Sequence, residues 1–360
     1  MSLFSSRTKL VCFAAVLLLA CSAWAQSSNV SVFAEGFNNP RGLKFGPDGN
    51  LYVAEGGKGG SISTMGLCEQ VPGAGPYTGG FTARISKVAP NGAVSTVIDD
   101  LPSSQTNPAI GSFVSGIADV AFVEGKLYAL LAGAGCSHGL AGTNNGVIRV
   151  DSNDHTTLVA NLSRFQKTHP VANPEPDDFE PDGTWYSMVA VGNTFYAVEP
   201  NHGELDAVTT GGQIRRITDI SLTQGHIVPT AIAFNGENFY VGNLDTFPIK
   251  DGSSKIMKIT PQGKLITAYI GFTTVLGLAF DSRGRLYVLE NTTGNPFPTP
   301  GTGKVLRIDG KNKTTEIASG LSLPTAMTFG PDGNLYVSNV GFGPPPIGLG
   351  QVLKITVPQN

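Results

Sequence analysis

Apolar and polar positions follow one pattern that the chain repeats six times. Each copy has a short apolar segment, a polar turn and a second apolar segment containing a tyrosine, and the two clearest copies both read FGPDGNLYV, at 45–53 and 329–337. Four degenerate copies lie between them, at 120–130, 189–198, 232–241 and 278–288. The shared tyrosines are Tyr52, Tyr128, Tyr196, Tyr240, Tyr287 and Tyr336. The last three follow their predecessors at intervals of 44, 47 and 49 residues, which is typical of propeller blades.

Alternating segments with β-branched residues follow each tyrosine and predict a third strand per unit, because side chains in strands alternate between two faces. These segments are 83–88, 146–150, 212–217, 254–259, 303–308 and 350–355. A fourth strand is predicted in most units, as at 93–98, 156–160 and 314–318. Six four-stranded units predict an all-β, six-bladed β-propeller. The last unit ends after its third strand, so we expect the N-terminal strand at about 29–36 to complete that blade and close the ring.

The first 25 residues predict an export signal, and residues 26–360 a single propeller domain. Arg7 and Lys9 precede an apolar stretch and a small-x-small cleavage site at 23–25. Export to the periplasm or the extracellular space is therefore expected. The segment 18–21 resembles a lipobox, so a lipid anchor on Cys21 is the alternative. No later segment is long and apolar enough to predict a transmembrane helix.

Net charge bears on the kind of partner the protein can bind, and cysteine content bears on whether it forms a disulfide. Without the leader the chain keeps 22 basic and 27 acidic residues, a formal charge of −5, which argues against nucleic acid as a partner. Two cysteines remain, Cys68 and Cys136, in insertions on consecutive units. An oxidising compartment then predicts a disulfide between them. Two buried thiols, or a metal site shared with His138, are the alternatives.

The long insertions all fall on one face of the predicted propeller. The connection into each blade and the connection between its second and third strands emerge on the same face, and the insertions at 56–81, 102–115, 131–145 and 163–184 belong to these two classes. Elaborated loops on a rigid scaffold are where binding and catalysis concentrate. We therefore expect the functional surface above blades 1 to 3. The alternative is that the loops only cap the channel.

One position just after the second strand of each unit carries mostly oxygen ligands. Its occupants are Glu55, Leu131, Glu199, Asn243, Glu290 and Asn339. Carboxylates and amides converging on a channel favour a hard cation, so the five polar members are candidate calcium ligands, with Leu131 interrupting the ring. The alternative is that these side chains hydrogen-bond the backbone of a neighbouring loop.

The third unit is the richest in reactive groups, reading EPNHGELD at 199–206. His202 and His226 are candidate general bases or metal ligands, since imidazole titrates near neutral pH, and Asp119 is a similar candidate at the channel mouth. The alternative for the histidines is hydrogen bonding to loop carbonyls. The acidic run at 173–183 is broken by prolines and does not fit an EF-hand, which predicts an extended, solvated loop.

Five segments resemble the ScyD/ScyE family of exported bacterial propeller proteins, named after genes of scytonemin biosynthesis. They are LLAGAGCSHG (130–139), EPDGTWYSMVAV (180–191), VEPNHGELD (198–206), GHIVPTAIAF (225–234) and TTVLGLAF (273–280). The resemblance covers essentially the whole chain after the leader and implies an exported propeller, but no reaction. It implies a site on the elaborated face, with His138, Glu199, Asn201 and Glu204 as candidate ligand-binding residues.

Two functional hypotheses follow. In the first, the protein binds a small molecule or a protein partner on its elaborated face. In the second, it resembles the lactonases of the six-bladed fold, with calcium in the channel polarising a lactone or ester carbonyl and with His202 or Asp119 acting on water.

Overall fold

The computed structural model describes residues 26–152, 154–177, 179–311, 313–343 and 348–358. The predicted export signal and the alternative lipid anchor fall on residues 1–25, outside the described residues. The strands form six antiparallel sheets with four principal strands each, arranged as the blades of a six-bladed β-propeller. The predicted fold class is therefore confirmed.

The strands of blades 1 to 5 run in chain order from the central channel outward. In blade 1 they are Pro40–Phe45, Leu51–Glu55, Thr78–Val88 and Val94–Gln105, with short additions at Ile62–Ser63 and Val114–Ser115. Blade 2 comprises Ile117–Val123, Lys126–Leu131, Gly146–Ser152 and His155–Asn161. Blade 3 comprises Ser187–Val191, Thr194–Glu199, Glu204–Thr209 and Ile214–Asp219.

The remaining three blades follow the same plan. Blade 4 comprises Pro229–Phe234, Phe239–Asn243, Ser254–Ile259 and Leu265–Phe272. Blade 5 comprises Val275–Phe280, Leu286–Glu290, Gly303–Gly310 and Lys313–Leu321. Blade 6 comprises Ala326–Phe329, Leu335–Asn339, Gly350–Ile355 and the N-terminal strand Val30–Phe37. The short helices are Leu162–Thr168 and Ser221–Gln224, with single 3-10 turns at Pro108–Ile110 and Cys136–His138.

The N-terminal strand closes the ring as predicted. It pairs antiparallel with the third strand of blade 6, with Val30 opposite Ile355 and Phe37 opposite Gly350. Phe37 is fully buried between blades 6 and 1. The closing blade is thus built from both ends of the propeller, which joins them by backbone hydrogen bonds and by apolar burial.

The repeated GPDGNLY segment encodes a fixed turn. Asp48 accepts hydrogen bonds from the Asn50 backbone N–H at 3.2 Å and from the Tyr52 hydroxyl at 3.0 Å. The second copy makes the same contacts, since Asp332 accepts from the Asn334 N–H at 3.1 Å and from the Tyr336 hydroxyl at 3.0 Å. The aspartate therefore ties the turn to the tyrosine of the strand that follows.

The rings of the six tyrosines join neighbouring blades. Each packs against a phenylalanine of the next blade, with ring centroids 4.3 to 5.2 Å apart. The pairs are Tyr52–Phe122, Tyr128–Phe195, Tyr196–Phe239, Tyr240–Phe280, Tyr287–Phe329 and Tyr336–Phe45. Aromatic pairs of this kind add to the apolar area that blade stacking buries, so the sequence repeat marks the contacts between blades.

The third strand of blade 3 differs from the prediction. The segment 212–217, expected as the third strand, lies largely in the fourth strand, and the third strand is Glu204–Thr209. A tight hairpin joins this strand to the second, with Glu199 opposite Glu204. The prediction was wrong here because Glu204 and Asp206 make a buried strand look polar. No helix among the described residues is long and apolar enough to cross a membrane.

Candidate functional site

A cavity of about 660 Å³ opens on the elaborated face, above the central channel. Its floor comes from the beginnings of the innermost strands of blades 1 to 4, with Arg41, Ala118, Tyr186 and Thr230 at equivalent levels. These positions are fixed by the blade scaffold, whose strands pair along their length. The floor is therefore rigid, and the loops above it determine the shape of the cavity.

All four long insertions contribute to the cavity walls. The contributing positions include Ala74, Phe113, Ala132 and Glu180, one from each insertion. Blades 4 and 6 complete the wall with Phe247 and Phe342, and the ring of Phe342 lies 5.2 Å from that of Phe113. The walls are mostly apolar. A pocket lies where the insertions led us to expect the functional surface.

The predicted disulfide between Cys68 and Cys136 is present, with the two Cα atoms 6.3 Å apart. It joins the insertion of blade 1 to the 3-10 turn Cys136–His138 of blade 2. The Thr64 hydroxyl donates to the Cys136 carbonyl beside it. The bond therefore fastens together two loops behind the cavity wall.

His138 is fully buried behind the cavity wall, in a chain of polar contacts that crosses three blades. Its Nδ1 lies 2.8 Å from the Ser104 hydroxyl, and its Nε2 lies 3.2 Å from Glu180 Oε2. The other oxygen of Glu180 accepts from the Tyr77 hydroxyl at 2.6 Å. Tyr77 and Glu180 line the cavity, whereas His138 and Ser104 do not. His138 thus orients a wall carboxylate and does not line the cavity itself.

His226 and Asn201 are the two predicted site residues that line the cavity. Burial lowers the pKa of His226, and Glu175 and Asp245 oppose that shift by their charge. The imidazole is therefore neutral at neutral pH and can accept a proton. Glu175, Asp177 and Asp245, which are exposed or half-buried, also line the cavity, so its mouth is acidic.

His202, Glu199 and Glu204 lie behind the wall, in the hairpin of blade 3. The His202 backbone N–H donates to Glu199 at 2.5 Å, and its ring Nε2 lies 3.0 Å from the Glu180 carbonyl. Burial lowers the pKa of His202 and raises the pKa of Glu199 to about 7. Burial also raises the pKa of Glu204, although its ion pair with Arg216 opposes the shift.

Each candidate calcium ligand accepts a hydrogen bond from the backbone of its own blade or of the connection that enters that blade. The donors are Asn38 N–H for Glu55 at 2.6 Å, Thr184 N–H for Glu199 at 3.0 Å, Thr273 N–H for Glu290 at 2.7 Å, Ser322 N–H for Asn339 at 2.9 Å, and Lys255 N–H for Asn243 at 2.7 Å. In the described part of the chain, no three His, Cys, Asp or Glu side chains are grouped to hold a metal ion. This arrangement does not suit a shared cation, because the oxygens already accept from backbone donors. The calcium role stays a prediction.

Asp119 lies lower, beside a second cavity of about 410 Å³ that the innermost strands enclose along the channel. Its carboxylate accepts from the backbone N–H groups of Val120 and Met188, both at 2.8 Å. Burial raises the pKa of Asp119 to about 6 against these hydrogen bonds and the charge of Lys44. Asp119 therefore joins blades 2 and 3 and does not line the upper cavity.

The end of the acidic run at 173–183 is buried, so the prediction of a solvated loop was wrong there. Glu180 is 2% exposed and Asp182 3% exposed. Asp182 accepts from the backbone N–H and the hydroxyl of Ser137, both at 2.8 Å, and pairs with Lys167 at 2.6 Å. The carboxylates escape solvent because other loops supply donors, which the local sequence does not show.

Sequence reasoning missed the floor residue Arg41 and the wall residues Glu180, Tyr77 and Phe113. Trp185 and Glu180 lie in a segment that the family resemblance included, but nothing singled them out. Arg41 follows the first proline of blade 1, and no motif marks it. The only feature of the sequence that could have identified Arg41 is its place at the start of the innermost strand of blade 1, because residues at that place surround the channel mouth.

Solved structures of other proteins show the same fold at low sequence identity. A Bacteroides thetaiotaomicron protein of unknown function is 13% identical, with a TM-score of 0.58 over 93% of this chain and 77% of that one. A putative oxidoreductase (glucose dehydrogenase) from Thermus thermophilus is 16% identical, with a TM-score of 0.57 over 92% and 100%. A gluconolactonase from Xanthomonas campestris is 10% identical, with a TM-score of 0.54 over 91% and 89%.

No protein-family model matches the chain, and no curated protein matches its sequence. The structural likenesses therefore show the fold alone. Fold and geometry together define the class: a six-bladed β-propeller with a cavity on its loop-elaborated face. The resemblance to the ScyD/ScyE family stays a prediction.

Proposed function

We propose that this exported propeller, of ScyD/ScyE type, binds a small molecule in the cavity above its channel. One observation carries the proposal: four separate insertions on three consecutive blades converge on a single cavity of about 660 Å³. Ligand sites of drug-sized molecules usually occupy about 300 to 1,000 Å³ and combine apolar walls with a few polar groups. This cavity has both features.

The cavity also has an arrangement that loops serving only as a cap would not need. Its wall carboxylate, Glu180, is held by Tyr77 and faces His138, and its apolar wall includes the Phe113–Phe342 pair. Buried polar groups that hold one orientation provide specificity, because their hydrogen bonds are ready before the ligand arrives. A small molecule fits these dimensions better than a protein partner, which needs a broad surface.

The test uses Trp185, the one tryptophan of the chain after the leader, whose side chain is fully buried at the cavity wall between Thr184 and Tyr186. A library of aromatic and amphipathic small molecules is screened for changes in its fluorescence, and hits are confirmed by calorimetry. The variant Ala74→Phe fills the cavity from a loop and should abolish binding. Ser282→Phe, in an exposed turn of the opposite face, is the matched control. Equal binding by both variants would place the ligand elsewhere and refute the proposal.

The second candidate is a lactonase- or esterase-like hydrolase. It is favoured by His226, an imidazole with a lowered pKa on the cavity wall, which can take a proton from water. The gluconolactonase named above shares the fold, at an identity too low to carry the activity over. A panel of lactones and aryl esters tests this function. Turnover that survives unchanged in His226→Gln would rule out His226 as the base.

The calcium form of the hydrolase hypothesis has its own test. Elemental analysis of the protein from Gln26 onward, after dialysis against metal-free buffer, measures bound calcium directly. If Glu199 and Glu290 are ligands, the double variant Glu199→Ala/Glu290→Ala should lose the metal. A double variant that keeps the metal stoichiometry of the parent would exclude both residues as ligands.

A further inference from the structure

We propose that the cavity selects organic carboxylates with an apolar body, and that Arg41 binds the carboxylate at the floor. The inference rests on the proposed binding function and adds the chemical class of the ligand. It starts from the one cationic side chain other than histidine among the described cavity-lining residues. Arg41 is 8% exposed, so its guanidinium is almost fully removed from bulk water.

The partners of Arg41 are neutral. Its guanidinium donates to the Val114 carbonyl at 2.5 Å and to the Tyr186 hydroxyl at 3.4 Å, and it lies 5.7 Å from the centre of the Tyr186 ring. Within the described ranges, no carboxylate oxygen lies within 4.0 Å of this group. A buried cation held only by neutral dipoles lacks a counter-charge.

Other arginines of the propeller differ from Arg41 in having a carboxylate partner. Arginines that are partly removed from solvent pair with a carboxylate of the same strand, a neighbouring strand or the same turn. These pairs are Arg84–Glu55, Arg149–Asp151, Arg216–Glu204, Arg285–Asp281 and Arg307–Asp309. Arg41 is more buried than these and has no such partner. A ligand carboxylate would supply the missing charge, with the bidentate geometry that a guanidinium favours.

Charge along the cavity orients such a ligand. The acidic side chains Glu175, Asp177 and Asp245 lie at the exposed or half-buried end, whereas Arg41 lies at the buried end. The one buried carboxylate of the wall, Glu180, is already held by the Tyr77 hydroxyl and lies 3.2 Å from His138. A carboxylate is repelled at the mouth and attracted at the floor. The apolar body then lies between, against Phe113 and Leu244. A neutral ligand gains nothing from this gradient, so the carboxylate should bind more tightly.

The test compares three probes that share one phenylpropyl skeleton: hydrocinnamate, hydrocinnamamide and phenylpropylamine. Binding to the protein from Gln26 onward is followed by Trp185 fluorescence. A buried hydrogen-bonded charge pair predicts that hydrocinnamate binds about tenfold to hundredfold more tightly than hydrocinnamamide. Arg41→Met should remove this preference, and Arg41→Lys should keep part of it. Arg149→Met, which removes a half-buried cation from the third strand of blade 2, away from the cavity lining, should leave the preference unchanged.

Each outcome is decisive. Equal affinity of the parent protein for the acid and the amide overturns the carboxylate inference but leaves small-molecule binding intact. Tighter binding of phenylpropylamine than of hydrocinnamate also overturns the carboxylate inference, because the acidic residues at the mouth and not Arg41 would then determine which charge the ligand carries. Failure of all three probes also overturns it, while the wider screen with Ala74→Phe decides on the binding function separately. These comparisons on the parent protein hold even if an Arg41 variant does not fold.

Discussion

Removal of the Cys68–Cys136 disulfide should destabilise the protein by an amount that follows from chain topology. The bond closes a loop spanning 68 residues between insertions of blades 1 and 2. In the chain-entropy relation, a loop of this length restricts the unfolded chain by about 4 kcal/mol near room temperature. Both cysteines are half-buried, so replacing them with alanine removes little packing. The double variant Cys68→Ala/Cys136→Ala should lose stability mainly through the unfolded state.

The assay is guanidinium chloride unfolding of the oxidised protein and the double variant, followed by circular dichroism. We expect the free energy of unfolding to fall by about 4 kcal/mol, with a similar dependence on denaturant. The parent protein measured with a reducing agent should behave like the double variant, which serves as an internal control. A difference below about 1 kcal/mol at an equal slope would show that the unfolded state gains little freedom, and would refute the reasoning.

Two further predictions concern buried carboxylates. Burial raises the pKa of Glu199 from about 4.5, its ordinary value, to about 7. The folded state then holds the proton more tightly than the unfolded state, so protonated Glu199 adds about 3 kcal/mol to the free energy of unfolding. This contribution is fully present below a pH of about 4.5 and is lost as the pH rises to about 7. Glu199→Gln should flatten this part of the pH profile, whereas the exposed Glu237→Gln should keep the parent slope; identical slopes in all three proteins would contradict the assignment. Glu290→Ala leaves the buried Thr273 N–H without its acceptor and should lower the free energy of unfolding by about 1 to 3 kcal/mol. Glu290→Gln should cost less, and an alanine variant as stable as the parent would show that the contact contributes nothing.

Blade number and ring closure could be predicted from the sequence because both depend on local, repeated patterns. Each tyrosine packs on the next blade, so its spacing counts the blades directly. The N-terminal strand could be placed because blade 6 otherwise lacks a fourth strand. Blade 3 shows the limit. Glu204 and Asp206 break the apolar alternation of a strand that is nevertheless buried up to its last residue, so the local pattern indicated the wrong segment.

The sequence predicted which face of the propeller carries the site, but not most of the residues that form it. Loop length identified the face, and His226 and Asn201 do line the cavity there. The partners of Glu180 are Tyr77 and His138, which lie 103 and 42 positions away in the chain. No spacing rule connects residues in loops of different blades. Arg41 is harder still to predict from the sequence. What distinguishes it is that no carboxylate of the described residues lies beside it, and only the structure shows this.

The buried acids of blade 3 connect the stability of the fold to the shape of the cavity. The Trp185 indole N–H donates to Asp206 at 3.1 Å, and burial and the charge of Glu204 raise the pKa of that carboxyl well above its usual range. With an apolar residue of similar volume in place of Asp206, the folded protein would generally be at least as stable. The carboxyl instead fixes Trp185, whose side chain is fully buried behind the cavity-lining residues Thr184 and Tyr186. Stability given up in the core of blade 3 therefore holds the backbone of the cavity wall at 184–186 in place from behind, which reduces the ordering that a bound ligand would otherwise require.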